Sequence, residues 1–163
     1  MSNRVLQSGR VTPGHLAVWT TNEVVGDGGT AILLNTQGLL SQSITNVNFN
    51  QTNFDNPILI NLPVGFTRWR CDRIVISGSS SALTMATCGV FTGIQQGGVA
   101  IVTAGSAITI TTPNADTNNN AQSLTINSQD TMVFSDTVIY FQLQNAQGAA
   151  ATANITVFYE PLP

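Results

Sequence analysis

The stretch "TVIYFQLQNAQGAAATANITVFYE", residues 137–160, decides how this chain folds. In its first third Ile139, Phe141 and Leu143 alternate with Val138, Tyr140, Gln142 and Gln144. In its last third Ile155, Val157 and Tyr159 alternate with Thr156, Phe158 and Glu160. A repeat of two is the mark of a β-strand, because successive side chains leave opposite faces of the backbone. The two strands, joined by the loop "NAQGAAAT" (145–152), are expected to form an antiparallel pair that closes the fold.

The same texture continues upstream. "PILINLP" (57–63) is a short strand flanked by two prolines, which cannot donate to a sheet ladder and so suit an edge. "RWRCDRIVISG" (68–78), "ALTMATCGVFTG" (82–93), "GVAIVTAG" (98–105), "AITITT" (107–112), "QSLTI" (122–126) and "DTMVF" (130–134) follow, each bounded by Gly, Asn, Pro or Ser. Helical periodicity is nearly absent. Short β-branched segments at this spacing predict an all-β fold, a jelly-roll-like antiparallel β-sandwich. The segment "TPNADTNNNAQ" (112–122) is expected as an exposed loop at one end. Residues 1–50 carry only short apolar pieces broken by Gly14, Gly26, Gly28 and Gly29, and cannot build a core alone. The expected organisation is therefore an extended N-terminal arm over residues 1–50 and a sandwich domain over residues 51–163.

Composition narrows the function. The chain has 163 residues, of which 8% are charged and 42% hydrophobic, against roughly 25% charged in ordinary globular proteins. It contains no lysine, and Asn, Thr, Ser and Gln provide its polarity. Uncharged amides and hydroxyls suit a surface packed against neighbours. A formal net charge of −3 argues against nucleic-acid binding, which is driven by neutralising phosphates. No apolar run reaches the length of a membrane helix, and "MSNRVLQSGR" has no apolar leader region. The expectation is synthesis in a cytosol, no membrane partner, and Cys71 and Cys88 as reduced core thiols.

Catalytic chemistry finds no foothold. His15, the single histidine, lies between Gly14 and Leu16 with no nameable nucleophile or orienting acid. Asp116, Asn118 and Asn120 have the opening spacing of a calcium loop, but Ala121 and Asn127 replace the glycine and the bidentate glutamate it requires. We therefore expect no enzyme activity, no metal and no cofactor. The densest charge is "TRWRCDR" (67–73). Arg68, Trp69 and Arg70 there can be a partner-contact patch, since Arg and Trp are enriched at interfaces. They can equally be a sheet face with a core tryptophan, or a glycan or anion site.

Three further stretches carry a resemblance: "RCDRIVISGSSSALTMATCGVFTG" (70–93), "GGVAIV" (97–102) and "VIYFQLQNAQGAAATANITVFYE" (138–160), with "QNAQGAAATANITVF" the most specific piece. They resemble small structural proteins of tailed-bacteriophage heads. "VTPGHLAVWTTNEVVGDGG" (11–29) is similar to a stretch that recurs near the start of phage virion proteins, tail proteins included. The resemblance implies a jelly-roll cement or decoration protein on the capsid exterior, partnered by the major capsid protein and associated as a dimer or trimer. On that reading residues 9–30 are an arm anchored by Leu16, Val18 and Trp19, with His15 incidental. The alternative is a tail-fibre or receptor-binding module that recognises host glycan through its Asn-rich loop.

Overall fold

The computed structural model describes residues 6–7, 15–20, 24–30, 39–111, 120–127 and 132–163, the first three stretches through their backbone pairing alone. Its strands are β1 (Leu6–Gln7), β2 (His15–Thr20), β3 (Val24–Thr30), β4 (Leu40–Asn48), β5 (Asn56–Leu59) and β6 (Arg68–Ser77). They continue with β7 (Thr87–Phe91), β8 (Ala100–Ala107), β9 (Ala121–Leu124), β10 (Val138–Asn145) and β11 (Thr152–Leu162). No α-helix occurs among the described residues.

β4 to β11 form two four-stranded antiparallel sheets, ordered β4-β11-β6-β9 and β5-β10-β7-β8. Their pairing is nested. The first strand of the eight pairs with the last (β4 with β11), the second with the seventh (β5 with β10), the third with the sixth (β6 with β9) and the fourth with the fifth (β7 with β8). Successive pairs fall in alternate sheets, so the chain wraps as a jelly roll. The expected β-sandwich is the fold of this protein.

Inward faces follow the alternation read from the sequence. Ile139, Phe141 and Leu143 of β10 and Ile155, Val157 and Tyr159 of β11 are all fully buried. β6 adds Trp69, Cys71, Ile74 and Ile76, and β7 adds Cys88 and Val90. Burying one such aliphatic side chain contributes about 1.5–3 kcal/mol, so these rows hold the two sheets face to face.

Three expectations change. The antiparallel pair predicted between 137–144 and 153–160 does not form, because β10 and β11 lie in different sheets. Each has an apolar inward face, and facing each other across the core buries both. The boundary expected at residue 50 falls instead between Gln37 and Gly38. Leu40–Asn48, assigned by sequence to the arm, pairs with β11 as an edge of the sandwich. Finally, residues 1–37 are more than an extended arm: their described strands form a small sheet ordered β1-β3-β2. Its β2–β3 register shifts where Gly28 and Gly29 oppose Leu16, a bulge that glycine tolerates.

Two expected strands do not form as separate strands among the described residues. Among the described residues "AITITT" contributes the end of β8 at Ala107 and the Leu83–Ile110 bridge, and "DTMVF" the Trp69–Phe134 bridge, yet Ile108, Ile110 and Phe134 are all core.

Candidate functional site

The three arginines of the sandwich, Arg68, Arg70 and Arg73, all lie on β6. Alternation would send Arg73 inward with Trp69 and Cys71. Instead the pairing with β11 shifts register between Tyr159↔Cys71 and Phe158↔Arg73. Asp72 is the extra residue of this bulge, and the shift returns Arg73 to the outer face with Arg68 and Arg70.

On that face each arginine is engaged. Arg70 Nη2 donates to Glu160 Oε2 at 2.6 Å, with both side chains about two-fifths exposed. The Arg73 guanidinium stands 4.3 Å above the Phe158 ring and 3.9 Å from the Asp72 carboxylate. Arg68 donates from Nε and Nη2 to the Pro163 carbonyl oxygen at 3.1 and 2.6 Å. Guanidinium groups already oriented by a first partner still present unused donors to a second.

Trp69 leaves the predicted contact patch. Its side chain is fully buried, Nε1 donates to Asp136 O at 2.7 Å, and its ring packs on Phe134 and Tyr159. Strand alternation sends it to the core while Arg68 and Arg70 point out, so a partner can reach only the arginines.

Beside the arginines the outer face is almost free of charge. Ser43, Thr156, Val75 and Ser123 align in one row across all four strands, and Ser43 Oγ lies 2.8 Å from Thr156 Oγ1. Asn154, Ser77 and Ala121 make the next row.

The other sheet carries a polar cluster that the sequence did not reveal. Asp55 accepts from Gln142 Nε2 and from the Gln95 backbone N–H. Gln142 is 2% exposed. Its Oε1, Gln144 Nε2 and Thr87 Oγ1 are buried with no hydrogen-bond partner among the described residues. The edge strands β4 and β5 flank a cleft of about 280 Å³, lined by Ile44, Asn46, Gln51 and Phe54 among others.

Leu16, Val18 and Trp19, the predicted arm anchors, lie on β2, as does His15; their side chains are outside the described residues. Asp116 and Asn118 are also outside them, while Asn120 Oδ1 accepts from Ser79 Oγ at 3.5 Å. Among the described residues no group of His, Cys, Asp and Glu could hold a metal ion. Cys71 and Cys88 are free and buried, and burial pushes both thiols up to about 12. No protein-family model and no curated protein matches this chain.

Proposed function

We propose that this chain is a non-enzymatic structural protein of a tailed-phage virion. It is a cement or decoration protein that binds the outside of the head and stabilises the assembled shell. The observation that carries this reading is the nested jelly-roll strand order, an architecture recurrent in capsid domains. The stretches that resemble phage head proteins, 70–93, 97–102 and 138–160, cover most of β6, all of β7, the start of β8, all of β10 and most of β11.

The physical role follows from mass action. A protein that binds the assembled shell and not its free subunits stabilises assembly by the free energy of its binding. Many copies, each with a modest contact, act together. The partner is the major capsid protein, and copies of this chain associate as a dimer or trimer. Arg68 and Arg70 are the contact residues assigned on the sandwich, and the N-terminal unit supplies the rest.

Cryo-electron microscopy of the native virion tests the reading. Density for this chain in many copies on the outer head surface supports it, and density restricted to the tail overturns it in favour of a receptor-binding role. Deletion of residues 1–37 should leave a folded sandwich that no longer binds heads. Undiminished occupancy by the truncated protein would remove the arm from the contact.

A further inference from the structure

We propose that the cleft flanked by β4 and β5 binds a single neutral sugar ring. Its volume of about 280 Å³ falls just below the usual range of ligand sites, about 300 to 1,000 Å³. That suits one ring better than a long segment of polymer.

The lining selects the chemistry. No residue of the cleft is charged, so a phosphate, sulfate or uronate would shed its water without gaining a counter-charge. Four side-chain amides, Asn46, Asn48, Gln51 and Asn56, line it. A side-chain amide offers donors and an acceptor, which is what a ring of hydroxyls requires; a purely apolar ligand would cover the Asn46 and Gln51 side chains without pairing them.

Two of the amides are held in place by the protein. Asn48 Oδ1 accepts from Asn50 N at 2.9 Å, and Asn56 Nδ2 donates to Phe54 O and Phe141 O at 3.3 and 3.2 Å. Asn46 sits at a positive φ of 56°, where β4 bulges against β11 and the Asn46 N–H donates to Asn154 Oδ1. The side chains of Asn46 and Gln51 have no partner among the described residues.

Phe54 completes the site. It is 50% exposed, whereas Phe49 on the same connection is fully buried, so its ring is not needed by the core. An aromatic face is weakly negative and attracts the polarised C–H bonds on the apolar face of a pyranose. An aromatic platform among uncharged amides therefore fits a neutral hexose or N-acetylhexosamine, free or at the end of a glycan. This inference is independent of the capsid reading and survives its failure.

The test is an amide NMR titration of the 163-residue protein with the methyl glycosides of glucose, galactose, mannose and N-acetylglucosamine, and with glucuronate for comparison. At least one neutral glycoside should give saturable shifts centred on residues 44–57, with a dissociation constant on the order of 1 mM. Phe54→Ala should weaken that binding about tenfold or more, and Gln51→Ala less, with the remaining spectrum unchanged in both. Glucuronate should bind more weakly than glucose. Any of three results would overturn the proposal: no saturable shift at residues 44–57 with any neutral probe up to about 100 mM, affinity indifferent to Phe54→Ala, or glucuronate binding as tightly as its neutral counterpart.

Discussion

Asp55 and Gln142 are joined by a 2.9 Å bond from the Gln142 amide Nε2 to Asp55 Oδ1. The same carboxylate accepts the Gln95 backbone N–H at 3.1 and 3.2 Å. One side chain thus ties the start of β5 to the middle of β10 and to the β7–β8 connection. Asp55→Ala should lower stability by about 1–3 kcal/mol, since it leaves a buried amide unpaired. Asp55→Asn should lose less, because its carbonyl oxygen can still accept. Urea denaturation of the three proteins would decide; an alanine variant as stable as the parent means that the contact is idle.

The turn that Asp55 steadies is itself under strain. Gln95 and Gln96 have φ of 53° and 62°, and Gly97 N donates to Ile94 O at 2.9 Å, the hydrogen bond of a type I′ turn. That turn prefers Asn-Gly at its centre. Gln96→Gly should therefore stabilise the protein by up to about 1 kcal/mol. Gly98→Ala should do the opposite, because Gly98 has a φ of +71° and an added Cβ would fall against Thr92 Oγ1. A shift of the two thermal midpoints in the same direction would contradict this account of the loop.

Burial of Cys71 and Cys88 gives a defined pH response. Burial holds both folded thiols up to about 12, against a usual value of 9.0, and the Asp72 charge adds to the effect at Cys71. The unfolded chain releases these protons first, so between pH 9 and 12 it binds fewer protons than the folded protein, and stability falls as pH rises. Below pH 9 the thiols contribute no slope. Replacing both with Ala should remove this component of alkaline destabilisation, read from denaturation midpoints across that range. A thiol-specific chromogenic reagent at pH 8 should react with neither cysteine until denaturant is added.

The neighbours Trp69 and Arg70 should differ sharply in their response to truncation. Trp69→Ala empties a fully buried site and should cost about 3–5 kcal/mol. Arg70→Ala breaks a half-exposed ion pair worth less than about 1 kcal/mol. The double variant Arg68→Ala/Arg70→Ala should therefore fold normally, and it should lower occupancy on phage heads if these side chains contact the capsid. A folded double variant that decorates heads at full occupancy would remove the arginines from the interface.

Much of the sandwich is legible along the chain, because a strand packed on one face writes its burial into every second residue. The inward rows of β10 and β11 can be named from residues 137–160 alone. β4 cannot be. In this edge strand Val47 alone is buried, so "LSQSITNVN" carries few apolar residues and its sequence leaves it in the arm. The candidate sites are less legible still. The outward return of Arg73 depends on a bulge opposite β11, and nothing in the sequence marks Phe54 as exposed. The amides beside it come from two strands and the turn between them, and nothing in their spacing announces a shared cleft.

The sequence by itself determined the all-β class, the faces of the main strands and the near-absence of charge, because these depend on local periodicity and composition. The tertiary structure alone decided which strands pair. The segments 137–144 and 153–160 stand next to each other in the chain and look like a hairpin, yet they lie in opposite sheets. Local pattern specifies that a face must be buried, but not against what. The choice of partner falls to long-range packing, in which two apolar faces exclude water best when they meet across a common core.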